Sequence, residues 1–271
     1  MTKTLPSPLA ALRRRSLLSL AGAGAMGLAW AGARAAAPAA GNGKLAILSM
    51  AGHDIELVEH VQQIGSRMPP KRQRLPLGTG LLDQRATLAL DKQARAFLPA
   101  SDIVLLSAQG KMWSELQRDA IDSAAGMKDM IATVADAAQQ AGCSHALALM
   151  KQRGVAKLRL ADTAIGLGML EGLGFYIDTE SETITKGTQE SHKGVLAPYA
   201  YVRLLYVDAK GVRLLGSEIA QDSTSVTLPA GTLGHPWDAL TPDAKATALS
   251  TLVEGAVSRL VPALMAPAKA G

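Results

Sequence analysis

Cysteine is almost missing from this chain: Cys143 stands alone among 271 residues. No intramolecular disulfide can form, and paired-cysteine metal or redox motifs are excluded. Several other signatures are absent as well. There is no Gly-x-Ser-x-Gly elbow, which argues against an ordinary α/β-hydrolase. There is no Walker loop and no His-Glu-x-x-His. Cys143 itself, in Ala141-Gly142-Cys143-Ser144-His145, could be a nucleophile beside a base, but it reads better as a small buried hydrophobe where a helix meets a strand.

Acidic residues are absent from positions 1–35, which hold Lys3, Arg13, Arg14, Arg15 and Arg34. A basic start, an apolar stretch from Leu17 to about Gly32 and the small-x-small sequence Ala33-Arg34-Ala35 are the three parts of a secretory signal peptide. The stretch has no polar face, which excludes an amphipathic first helix, and it falls short of the roughly 20 apolar residues of a membrane span. Arg14-Arg15-Ser16-Leu17-Leu18 resembles the twin-arginine pattern, departing from it at Arg13 and Ser19. The expected product is exported, cleaved after Ala35, soluble and periplasmic. No cysteine near the cleavage point is available for a lipid anchor.

Net charge also disappears once the leader is set aside. The chain carries 28 basic and 23 acidic residues; removing five leader bases leaves 23 against 23 in residues 36–271. A nucleic-acid partner requires a positive surface field, so none is expected. The run Arg67 to Arg74 is basic but contains Pro69 and Pro70, and is read as a solvated loop.

Residues 36–43 form a flexible tether before a single α/β (α+β) domain over 44–265. Lys44–Met50 has strand length. Ile55–Ile64 fits both helical spacing and partial alternation, and is read as the second strand of a hairpin. Residues 65–80 read as a long loop, 81–98 as an amphipathic helix ended by Pro99, and 102–107 as a buried strand. Helices near 112–124 and 128–140 follow, then a strand over 144–152. A β-rich second half covers 157–160, 164–177, 199–207 and 212–220, with Asp208-Ala209-Lys210-Gly211 as a hairpin turn. Residues 179–193 are polar and read as a mobile loop. Thr241-Pro242-Asp243 is an N-cap opening a closing helix to about Leu260. The expected architecture is a mixed sheet with flanking helices.

Three segments carry a resemblance: Ser144–Met150, the glycine-rich Ile165–Asp178 and Ala197–Glu218, with Val207-Asp208-Ala209-Lys210-Gly211-Val212-Arg213-Leu214-Leu215 as its hairpin. Together they resemble uncharacterised exported proteobacterial proteins with a TolB N-terminal-like or curli-secretion-channel-like α/β unit. The resemblance implies an envelope location and an accessory or assembly role. The absence of a lipidation cysteine departs from many such proteins.

Candidate functional residues are few. His53-Asp54 follows the first strand, where α/β folds place functional groups; His53 could act as a base held by a carboxylate, or with Glu56 or His60 hold a metal. Turn chemistry explains Gly52 and Asp54 equally well, and neighbours in an extended chain point to opposite sides. Ser66 and Arg67, with Trp113 after the 102–107 strand, could line a binding rim, or Trp113 could anchor its helix. Gly234-His235-Pro236-Trp237 reads as a packing staple. Gly166-Leu167-Gly168 with Gly172 and Gly174 lacks dinucleotide-loop spacing and reads as a glycine-kinked strand. No metal site is assigned and no cofactor is predicted. The expected role is non-catalytic binding or envelope assembly, with an envelope partner or self-association and no membrane span after processing. The alternative is an exported hydrolase or a cofactor- or metal-binding enzyme that crosses folded.

Overall fold

Leu45–Ser49 is apolar at four of its five positions because both of its faces are covered. It is β1 in a computed structural model that describes residues 43–60, 70–77, 80–99, 101–160, 163–184, 191–227 and 234–265. The expected leader with Arg14 and Arg15, the expected cleavage point after Ala35 and the expected tether up to residue 42 lie outside the described residues, as do Ser66 and Arg67.

The first half continues with β2 (Asp54–His60), β3 (Lys71–Pro76), α1 (Leu81–Phe97), β4 (Ile103–Ser107), α2 (Lys111–Asp122), α3 (Ala124–Gln140) and β5 (His145–Lys151). The second half is strand-rich: β6 (Arg153–Val155), β7 (Leu158–Leu160), β8 (Thr163–Ile165), β9 (Met169–Ile184), β10 (Ser191–Asp208), β11 (Arg213–Ser223) and β12 (Val226–Thr227). A 3-10 turn (Pro236–Ala239) leads into α4 (Pro242–Met265). This is the expected α/β class, with a closing C-terminal helix.

The strands form one mixed sheet organised around β10. β11 pairs along Tyr199–Asp208 on one side of β10. The other side is shared: residues 202–208 pair with β5, and Tyr201 and the residues before it pair with β9. β5 and β9 therefore lie end to end. β1 runs parallel to β5, and β2 runs parallel to β9, so these two also lie in line. β4 and β3 close the outer edge, β4 beside β1 and β3 beside β2.

Side-chain alternation sorts the core into faces. Leu45 and Ile47 face α1 and α4, meeting Leu82, Leu90, Val253 and Val257. Ala46 and Leu48 face α2 and α3, meeting Met130, Val134 and Ala138. Beyond the reach of α2 and α3, the β7–β8 ribbon covers that face, where Tyr176, Tyr199 and Tyr201 are buried with Leu158 and Leu170. α4 is long and apolar enough to cross a bilayer, and here it lays its apolar stripe on α1 and the sheet.

Several expectations need correction. β1 and β2 are both strands but are not a hairpin; four residues suffice between them because the second continues the line of the first. The 65–80 segment is not all loop, since Lys71–Pro76 pairs antiparallel with β2. Its charges are tolerable in a strand because Arg72 reaches Glu56 and Arg74 reaches Glu171, each at 2.9 Å. The 102–107 strand lies at an edge, with Leu105 46% exposed. Strand pairing also runs into the polar 179–193 segment, up to Ile184 and again from Ser191. There the Asp178 carboxylate accepts from the Glu180 and Ser181 amides at 2.9 Å. Finally, α4 continues past Leu260 to Met265.

The turn and cap readings agree with the structure. Asp208 pairs with Arg213 across the β10–β11 turn and accepts from the Gly211 amide at 3.0 Å. Thr241 Oγ1 accepts from the Ala244 amide at 3.2 Å. Cys143 is buried at the α3–β5 junction.

Candidate functional site

In a doubly wound sheet, ligands enter where consecutive crossovers leave opposite faces, at the carboxyl ends of the strands. Here β1 lies between β4 and β5, and the crossovers pack α1 on one face and α2–α3 on the other. The corresponding crevice is the end of β1 beside the end of β5, at Met50–Asp54 and Lys151–Gln152.

That crevice is filled by the protein's own side chains. The Met50 amide donates to the Leu149 carbonyl at 2.9 Å. In an unbroken parallel ladder the Lys151 amide would next bond the Met50 carbonyl. Gln117, buried on α2, inserts instead: its side-chain carbonyl accepts from the Lys151 amide at 2.6 Å, and its NH2 donates to the Met50 carbonyl at 3.1 Å. The Lys151 ammonium pairs with Asp54. Glu171 takes Arg74 at 2.9 Å and Arg153 at 2.6 Å, and Arg153 also holds Asp122 at 2.6 Å. Between these groups about 10 Å³ of open space remains, enough for one water molecule. The Ser114 hydroxyl, which lines it, has no protein partner.

Burial sets the electrostatics of this cluster. It pushes the Lys151 ammonium down to about 8, against the opposing pull of Glu171. Burial also raises the Tyr199 phenol well above its ordinary range, and the Glu56 carboxylate, which accepts its hydroxyl at 3.1 Å, adds to the rise.

The structure separates the pair expected at 53–54. Asp54 is committed to Lys151. The His53 carbonyl accepts from the Leu77 amide at 3.1 Å, and the His53 ring acts on the α1 side near Asp83. Burial raises the Asp83 carboxyl, while hydrogen bonds from Ser49 and Gly52 and the charge of His53 oppose the rise. Glu56 is engaged by Arg72 and Tyr199, while His60 closes β2 four residues on. Among the described residues no three His, Cys, Asp or Glu side chains converge as a metal site. Trp113 is half-buried against the α2–α3 core, the helix-anchor arrangement. Trp237 packs edge-on to Phe175 with ring centroids 5.3 Å apart, under the Lys245 ammonium, as a staple does.

A second feature lies at the carboxyl ends of β1 and β4. A groove of about 370 Å³ opens there between α1 and the edge of β4, which is unpaired among the described residues; Ser49, Asp83, Thr87, Leu88, Leu105 and Gln109 line it. Its floor is polar: Ser49 Oγ donates to Asp83 at 2.7 Å and the Gly52 amide does so at 2.8 Å. Its lips are apolar, Leu88 and Leu105 both being exposed. Sequence reading missed Gln117 and this groove, because a glutamine on an amphipathic helix signals nothing until its backbone partners are known.

No protein-family model matches the chain, and no curated protein sequence matches it. Among solved structures it is similar to the PelC dodecamer from Paraburkholderia phytofirmans, at 10% identity over 86% of this chain and 93% of that one, with a TM-score of 0.34. It is also similar to a neuraminyllactose-binding hemagglutinin homolog from Helicobacter pylori, at 10% identity over 80% and 79%, TM-score 0.32. A third is the hypothetical protein CT253 from Chlamydia trachomatis, at 8% identity over 83% and 94%, TM-score 0.22.

Proposed function

We propose that this is an exported envelope protein with a non-catalytic binding and assembly role, and that it self-associates through the free edge of β4. The leader at 1–35 supports the location. The contrast between two sheet edges carries the role. Natural proteins blunt exposed edges with charge and proline, and β3 has both, in Lys71, Arg72, Arg74 and Pro76. β4 reads Ile-Val-Leu-Leu-Ser, with neither.

The geometry of β4 suits pairing. The Leu45 amide donates to the Asp102 carbonyl, so residues 102, 104 and 106 turn their backbone groups to β1. Residues 103, 105 and 107 turn theirs outward. A second copy related by a two-fold axis through Leu105 would align 103 with 107 and complete both ladders, as isologous interfaces do. Asp102 at one end and Lys111 beyond the other would then approach across the junction.

Protein recovered from the periplasm, run on size exclusion with light scattering, tests this. The expected result is a dimer or larger species that Leu105→Lys converts to monomer with unchanged circular dichroism. A monomeric native protein, or an assembly indifferent to that substitution, would refute the β4 interface. Retention of unprocessed chain in the cytoplasm would refute the location.

A further inference from the structure

Asp83 is the single charged residue lining the groove between α1 and β4. It stands in the first turn of α1, and its Oδ1 accepts from Ser49 Oγ at 2.7 Å and from the Gly52 amide at 2.8 Å. Those two bonds tie the end of β1 to the helix, and both fall on one oxygen. Oδ2 takes part in neither. The charge of His53 and the Ala51 amide exert weaker pulls on the carboxyl, and burial, the largest influence, raises it. Among the described residues no lysine or arginine lines the groove. A cation brought against this carboxylate would offset its loss of water.

The walls are of the opposite character. Thr87 lies one helical turn beyond Asp83, on the same face of α1, and Leu88 follows it. Leu105 stands across from them on β4. Leu88 and Leu105 are 58% and 46% exposed, and the polar residues around them, Gln84, Ser107 and Gln109, are neutral. A volume of about 370 Å³ is that of a small-molecule site. Apolar walls over one desolvated carboxylate complement a molecule with an ammonium at one end and a hydrocarbon body behind it. A neutral apolar molecule would cover Oδ2 without giving it a donor, and an anion would be repelled.

We propose that this groove binds an amphiphilic amine, its ammonium donating to Asp83 Oδ2 and its hydrocarbon body lying between Leu88 and Leu105. The proposal gives a ligand class to the binding role stated above and rests on that reading. It is separable from pairing at β4, because Leu105 lends its outward backbone groups to the sheet edge and its side chain to the groove.

The test uses three probes with one tail, hexylammonium, 1-hexanol and hexanoate, titrated into periplasm-derived protein at neutral pH and followed by calorimetry and amide chemical shifts. Hexylammonium should bind saturably and move the Gly52 and Asp83 amides. Hexanol should bind at least about tenfold more weakly, and hexanoate should not bind. Asp83→Asn keeps an oxygen for Ser49 and Gly52 while removing the charge. It should lower hexylammonium affinity by about tenfold or more, with circular dichroism and elution volume those of the native protein. Thr87→Phe leaves the carboxylate in place, fills the groove and should block binding. No saturable binding of hexylammonium, equal affinity for hexanol or hexanoate, or undiminished affinity in either variant would each overturn the proposal. A self-associating protein that ignores hexylammonium would defeat the groove and leave the β4 interface standing; a monomer that binds it would do the reverse.

Discussion

Gln117 stands in for a missing rung of the sheet, its side chain joining the Lys151 amide at 2.6 Å to the Met50 carbonyl at 3.1 Å. Replacement by alanine leaves a buried donor and a buried acceptor without partners, each worth about 1–3 kcal/mol. Gln117→Ala should therefore lower stability by about 2–4 kcal/mol in urea unfolding, with the m-value unchanged. A loss below about 1 kcal/mol would show that the two strands close up without it.

Gly172 is in the left-handed region at φ +65, and a Cβ there would stand 2.6 Å from Lys151 Cδ. Gly172→Ala meets both backbone strain, roughly 1–2 kcal/mol, and a clash with a side chain fixed by its ion pair. Gly142→Ala, at φ +71 with nothing within 4 Å, meets only the strain. The first variant should unfold at lower denaturant than the second, and the difference measures how firmly Lys151 is held.

The Arg72–Glu56 pair at 2.9 Å is buried on the glutamate side. Arg72→Ala strips a buried carboxylate of its cation and should destabilise by about 3–5 kcal/mol. Arg72→Met combined with Glu56→Leu removes both charges and should recover most of that loss. Chemical denaturation of the single and double variants decides it; an additive double variant would mean that the two side chains do not interact.

Lys151 predicts an alkaline stability profile. Its ammonium titrates at about 8 when folded and about 10.4 when unfolded. Between these values the unfolded chain holds more protons, so stability rises with pH. Burial holds Tyr176 and Tyr206 up to about 12, whereas unfolded tyrosines ionise near about 10. Stability then falls, because the unfolded chain now holds fewer protons. Urea midpoints measured from pH 7 to 11 should pass through a maximum near about pH 10, and Lys151→Met should flatten the rising limb.

Most of the framework was legible in the sequence because its signals are local. Thr241 before Pro242, the Asp208–Gly211 turn and the apolar stripes of α1 and α3 each report one element. What was not legible depends on partners far along the chain. Lys71–Pro76 looks like solvent-facing charge until Glu171, nearly a hundred residues later, is placed beneath Arg74. The β1–β2 hairpin failed for a similar reason: local pattern identifies two strands, whereas β5 and β9 decide that they lie in line. His53 and Asp54 are adjacent in sequence, yet Asp54 is committed to Lys151 while the charge of His53 bears on Asp83 of α1.

Because β5 ends where β9 begins, and β1 where β2 begins, β10, with β11 beside it, carries the unbroken backbone pairing from one half of the described sheet to the other. It works as a spine. Tension at β4 reaches the far half through β10, where Tyr201 and Val202 change neighbours, and through the short links Met50–His53 and Gln152 that continue β1 into β2 and β5 into β6. Molecules pulled together at β4 would load these crossings together, and the Gln117 clasp, on Lys151 and Met50, sits among them.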